Sequence, residues 1–332
     1  MEHYERNPMT PAAPGSPIDK ILIKLPESMR ERINKLPKRA MNQLEEIRIR
    51  TDTDTLLISG GREYSLRDRD EITAEVLEEI LNRLLDYSYY AYEEELARGY
   101  ITIEGGHRVG ICGRVTLENG QVHLIKDVSS LNIRRSREIT GASDKIWGAV
   151  LSPAKTPPEG VQNAGVSAAI TEMNVRNTLI ISPPKCGKTT ILRDLARSLS
   201  CRGFRIGICD ERSEIAGCYD GKTSYDLGPR TDVLDGCPKA EGILMLIRAM
   251  SPDVVLTDEI GKPEDAAAIR SALSAGLKII TTIHGSSFED AAKSAVGDLI
   301  TDRVFETLIF LSAQPVTGTV EKILQLPEVS HG

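Results

Sequence analysis

From Asn177 onward, apolar runs of strand length alternate with stretches of helical spacing: NTLIIS, ILRDLARSL, FRIGICDE, AEGILMLIRAM, VVLTDE, PEDAAAIRSALSAG and LKIITTIHG. Apolar runs of this kind mark strands buried on both faces, so the alternation predicts an α/β domain, a parallel sheet with helices on both faces, over residues 177–332. The closing VFETLIFLSAQPVTGTVEKILQL predicts a strand pair at the sheet edge. Residues 21–140 have a mixed pattern that predicts a smaller α+β N-terminal domain. ILIKLPESMRERINKLP has helical spacing, LEEIRIR and TLLIS read as strands, and Gly60-Gly61 marks a turn. ITAEVLEEILNRLLDYSYYAYEEELARG predicts a helix pair whose Leu and Tyr residues line the core, ended by Gly99. YITIEGGHRVGICGRVTLENGQVHLIKDVSSLNIRR alternates like a meander, with Asn119-Gly120 as a hairpin turn.

Two stretches lack such periodicity. Residues 1–20 predict a disordered tail, and residues 141–176, with TPPEGVQNAG, predict a linker region. At its start, ITGASDKIWGAVL, residues 139–151, is compatible with a helix anchored by Trp147.

The chemistry gathers at strand ends. Ser182-Pro183-Pro184-Lys185-Cys186-Gly187-Lys188-Thr189-Thr190 lies between a buried strand and an amphipathic helix, the context a P-loop requires. Backbone N–H groups and a helix N-terminus suit phosphates, Lys188 the terminal phosphates, and Thr189 a magnesium ion. Ser182 stands where the general pattern has glycine, so it must avoid backbone angles that only glycine adopts readily. Further on, VVLTDE ends a second strand in Asp258, suited to hold the metal, and Glu259, suited to polarise an attacking water. A strand, FRIGICDE, comes between these two in the sequence, which points to the RecA-like class of P-loop NTPase.

Other polar groups end strands at the same sheet edge. Asp210, Glu211 and Glu214 would order water or metal, or else form a solvated loop or helix-capping cluster. His284 is placed to sense a terminal phosphate. The polar loop GPRTDVLDGCPK, residues 228–239, is suited to present Arg230 across a subunit interface to a transition state, with Arg108, Arg114 and Arg134 as rivals and surface ion pairs as the plainer use of each.

Composition narrows the classes. The chain has 332 residues, 40% hydrophobic, a net charge of −7 and a pI near 5.5, enough for two globular domains but without the cationic excess of a dedicated nucleic-acid binder. The six cysteines have neither zinc-ligand spacing nor a small secreted framework, and most are expected to be reduced thiols. No stretch has the length of a membrane span, and the first residues lack a signal-peptide core.

SPPKCGKTTILRDLAR, DERSEIAG and RTDVLDGCPKAEGILMLIRAMSPDVVLTDEIG, with GGHRVGICGRV and SSLNIR, resemble the stage III sporulation protein AA family from about residue 21 onward. In that family the P-loop also reads SPPxCGKTT, so Ser182 is a family trait. The family is in turn similar to the traffic ATPases of type II and type IV secretion. The resemblance implies ATP and Mg²⁺ as ligands, hydrolysis in a homo-hexameric ring with a mobile N-terminal domain, an acidic "Asp box" at DERSEI and a "His box" at TTIHG. It also implies the mother-cell cytoplasm of an endospore former, peripheral association with a membrane, and membrane-embedded sporulation channel proteins as partners. Two departures from the family habit stand out: a longer linker at residues 153–173, and Arg135 and Ser136 where smaller or apolar residues are usual. Two rival functions are a nucleic-acid-dependent P-loop ATPase, disfavoured because the sequence ends at Gly332 without an added R3H-type module, and a nucleotide-gated scaffold with little turnover.

Overall fold

The computed structural model describes residues 17–153 and 173–326. These divide into two units, residues 17–137 with 219–224, and residues 138–218 with 225–326.

The first unit opens with helices α1 (Pro17–Leu22), α2 (Glu27–Asn34) and α3 (Lys38–Asn42). Strands β1 (Leu44–Arg50), β2 (Leu56–Ser59) and β3 (Arg62–Ser65) follow, then α4 (Ala74–Leu84), α5 (Glu93–Ala97), β4 (Tyr100–Ile103), β5 (His107–Glu118) and β6 (Gln121–Arg134). The six strands pair antiparallel in the order β3-β2-β1-β6-β5-β4. Alternation buries Ile47, Ile49, Val109, Ile111, Leu131 and Ile133, which share a core with Leu77, Ile80, Leu81 and Leu84 of α4. Asn119 and Gly120 both take positive φ, 51° and 79°, as the right-handed twist of a two-residue hairpin demands. Beyond Cys112 and Ser129, β5 and β6 pair only with each other among the described residues.

Two expectations for this unit are corrected. The predicted tail is too long: its residues 1–16 lie outside the described residues, but α1 starts at Pro17, a residue preset for a first helical turn, and buries Ile18, Ile21 and Leu22. Of the tyrosines after α4, Tyr92 packs against the core and the others do not line it. Tyr87 and Tyr90 are exposed, because the chain turns at Asp86 and Tyr87, both at positive φ, and the helical period is lost there. Arg135 is accommodated through backbone bonds, its guanidinium donating to the carbonyls of Met41 (3.1 Å) and Asn42 (3.3 Å), while the Ser136 N–H donates to His107 Nδ1 at 3.1 Å.

The second unit contains α6 (Trp147–Val150), β7 (Leu151–Pro153), β8 (Met173–Val175), β9 (Thr178–Ser182), α7 (Lys188–Cys201), β10 (Ile206–Asp210), β11 (Thr231–Asp235) and α8 (Lys239–Ala249). It continues with β12 (Val254–Thr257), α9 (Pro263–Ser274), β13 (Lys278–His284), α10 (Phe288–Ala292), α11 (Asp298–Thr301), β14 (Thr307–Ser312) and β15 (Thr319–Gln325). Seven strands run in the order β11-β10-β12-β13-β9-β14-β15, all parallel except β15. Both faces are covered. Ile180, Ile208 and Leu256 pack with Ile191, Leu195 and Leu199 of α7, whereas Leu179, Val255 and Ile279 pack with Ile243 and Leu246 of α8 and Ile269 of α9.

The predicted linker is shorter than its assigned span. Ile146, Val150, Leu151 and Val175 are buried in this unit, and β7 pairs with β8, while residues 154–172 lie outside the described residues. Within the loop 228–239, Thr231–Asp235 forms the edge strand β11, held by parallel pairing to β10 although only Val233 and Leu234 are apolar.

Candidate functional site

The phosphate loop starts where β9 ends. Ser182 keeps a negative φ, and the left-handed positions fall on Lys185 (φ 63°) and Gly187 (φ 85°), so no glycine is needed at Ser182. The Ser182 hydroxyl donates to the Pro183 carbonyl at 2.9 Å. Pro183, Pro184 and Lys185 are exposed, while Cys186 is buried with Ile191 and pins the loop to the core. The first helical bond of α7 runs from Ile191 N to Gly187 O at 3.0 Å, so the amides preceding Ile191, from Lys185 to Thr190, have no helical acceptor. With the helix dipole behind them they form an anion cradle.

Lys188 lies across this cradle, only 7% exposed. Its Nζ donates to the carbonyls of Ser182 (3.0 Å) and Pro183 (3.1 Å), to Ser182 Oγ (3.3 Å), and to His284 Nδ1 (3.0 Å). Burial presses the Lys188 pKa below its usual value, against the pull of Asp258 and Glu259. An ammonium only donates, so His284 Nδ1 accepts and the ring proton sits on Nε2, which lies 3.0 Å from Glu259 Oε1.

Two oxygen ligands suited to a hard cation stand beside the lysine. Thr189 Oγ1 donates to Asp258 Oδ2 at 2.5 Å, and the other Asp258 oxygen accepts from Thr282 Oγ1. Thr282 Oγ1 also accepts the Glu259 N–H at 2.9 Å, which fixes Glu259 in a left-handed backbone position (φ 50°). Glu259 Oε2 has Arg212 Nη1 at 3.5 Å. Lys188, Thr189, Asp258, Glu259 and His284 thus converge at the carboxyl ends of β9, β12 and β13. Thr282 and Arg212 join them without having been anticipated. Thr282 was legible as the residue two before His284, on the same face of β13, whereas nothing in the sequence singled out Arg212.

The acidic turn after β10 sorts its carboxylates. Asp210 is buried and accepts the N–H groups of Glu214 (2.9 Å), Ile215 (2.9 Å) and Ala216 (2.8 Å), so it serves as a capping group. Burial pushes its pKa up to about 6 despite those donors. Glu211 faces Lys239 and Lys262; burial opposes its ionisation, but Lys239 outweighs it and holds the carboxyl below its usual range. Glu214 lies in the turn around Asp210, and its carbonyl accepts from Arg193 Nη2 at 2.7 Å. Arg230 precedes β11 at the amino edge of the sheet, the end opposite the phosphate loop, where its N–H donates to Ser200 Oγ at 2.7 Å. Within one chain it does not join the site.

One strand, β13, separates the phosphate-loop strand β9 from β12, whose end carries Asp258. That order, with the loop and the Thr189–Asp258 pair, defines a RecA-like P-loop NTPase fold. The chain belongs to the family described as Sporulation stage III, protein AA, whose model matches residues 18–327. It is 44% identical over 306 residues to Stage III sporulation protein AA of Bacillus subtilis (strain 168), covering 90% of this chain and 92% of that protein. Among solved structures, it is similar in fold to the pilus retraction motor PilT, with a TM-score of 0.53 and 13% identity over 82% of this chain and 76% of PilT. The ATPase DotB of Legionella pneumophila matches 91% of this chain and 78% of its own at 14% identity and a TM-score of 0.48.

Proposed function

We propose that this chain hydrolyses ATP with Mg²⁺. The observation that carries the reading is the buried Lys188 ammonium beside the Thr189–Asp258 oxygen pair, at the foot of a cradle of amides without helical acceptors. A desolvated cation held by carbonyls and an imidazole fits a polyphosphate, and a hydroxyl with a carboxylate fits a hard cation. Bound magnesium would neutralise charge on the terminal phosphates. Lys188 binds phosphate oxygens, the Lys185–Thr190 amides cradle them, and Thr189 and Asp258 hold the metal. Glu259 orients a water and accepts its proton, while His284 ties Glu259 to the lysine that meets the phosphate.

The output on this reading is domain motion in a homo-hexameric ring, located in the mother-cell cytoplasm and docked on membrane-embedded sporulation channel proteins. Family membership supports the sporulation setting. Among the described residues no helix is long and apolar enough to cross a membrane. An arginine from a neighbouring copy would complete the charge around the terminal phosphate, with Arg108, Arg114, Arg134 and Arg230 as candidates.

ATP hydrolysis measured across protein concentration, with light scattering for size and Glu259→Gln as control, tests the reading. Specific activity should rise as a ring forms, and Glu259→Gln should bind ATP without turning it over. Wild-type turnover in Glu259→Gln would sink it.

A further inference from the structure

The phosphate loop has two flanks, and only one carries the reacting groups. Asp258, Glu259 and His284 stand at the ends of β12 and β13, on one side of β9. A triphosphate whose terminal phosphate meets these groups must send its nucleoside out on the other side. There, the next strands are β14 and β15, and the turn that joins them closes on the loop itself. The Gly318 N–H donates to the Cys186 carbonyl at 3.1 Å, and a Cβ built on Gly187 would lie 3.2 Å from Thr317 Cγ2. The turn is internally braced, since the Val316 carbonyl accepts both the N–H (3.1 Å) and the hydroxyl (2.7 Å) of Thr319. At its tip Val316 is a 61% exposed apolar side chain.

We infer that this turn, Val316 to Gly318, is the platform on which the nucleoside of the bound triphosphate rests, with Val316 supplying apolar contact to the base. The inference deepens the nucleotide-binding reading above and rests on it. An exposed valine on a braced turn contributes contact area at little cost in lost freedom, the usual make-up of a small-molecule site. Close packing of Thr317 on Gly187 sets the height of the platform relative to the phosphates.

Calorimetric binding of ATP and of inorganic tripolyphosphate, each with Mg²⁺, separates the platform from the cradle. In Val316→Ser, ATP affinity should fall by roughly threefold to tenfold, the loss of one or two buried methyl groups, with tripolyphosphate affinity unchanged. Val316→Trp should shift ATP affinity the other way and again leave tripolyphosphate alone. Equal ATP affinity in wild type and Val316→Ser, or an equal loss for both ligands, overturns the platform. Failure of the wild-type chain to bind tripolyphosphate at all overturns the phosphate-loop reading and the platform with it. The substitutions are at an exposed tip, and unchanged thermal unfolding checks that the fold is intact.

Discussion

His284 accepts from the Lys188 ammonium at 3.0 Å through Nδ1, and its Nε2 lies 3.0 Å from Glu259. One imidazole thus connects the group that would meet a terminal phosphate with the group that would meet water. His284→Ala should lower ATP turnover by about 10- to 100-fold with little change in nucleotide affinity, and His284→Gln, which keeps one acceptor and one donor, should recover part of the loss. Steady-state kinetics on the two variants checks this, and wild-type activity in both would separate His284 from the reaction.

Lys188 serves binding at the expense of the empty fold. Its ammonium is buried and has no carboxylate in direct contact among the described residues. Lys188→Met should abolish turnover yet leave the nucleotide-free protein at least as stable, with a gain between zero and about 2 kcal/mol in urea unfolding. A marked loss of stability would show that the lysine holds the loop together.

Asp210 gives a pH signature. Its folded pKa, about 6, stands above the usual carboxyl value, so between that value and pH 6 the native state binds the extra proton. Its contribution to stability therefore falls as pH rises through this window and is flat above it. Asn does not titrate, so the stability difference between wild type and Asp210→Asn should be larger at pH 4.5 than at pH 7.5 by about 2 kcal/mol. Urea unfolding at the two pH values measures it, and the opposite trend would refute the assignment.

Gly228 combines a left-handed backbone with no room for a side chain. At φ 83°, an added Cβ would lie 2.6 Å from Ser200 Cβ and 2.9 Å from the Arg197 carbonyl. Gly228→Ala should cost about 3 kcal/mol or more, read from the denaturation midpoint, because strain and overlap add. The entry into β11 would loosen first.

Periodicity made the α/β layout readable, because strands such as Thr178–Ser182 and Val254–Thr257 are buried on both faces and must be apolar throughout. β11 escaped because an edge strand between Gly228 and Gly236 needs pairing more than apolar side chains. The loop motif and the Asp258-Glu259 pair were legible because chain order alone puts them at strand ends. The roles within DERSEI were not: burial makes Asp210 a capping group and Lys239 neutralises Glu211, and neither follows from spacing. Arg230 falls at the amino edge of the sheet because β11 runs parallel to β10, and a polar loop does not announce which end of the sheet it serves. Arg212 meets Glu259 only through the fold.

The outer part of the β5–β6 hairpin offers two open rows of backbone donors and acceptors among the described residues. Arg114, Glu118, Lys126 and Asp127 are exposed along it, next to Val115, Leu117 and Val122. Open rows beside exposed apolar residues invite stray strands, and charge is what turns them away. Neutralising these four residues would leave the open rows with less to turn a stray strand away, so the charges here guard the edge of the sheet as much as they shape it.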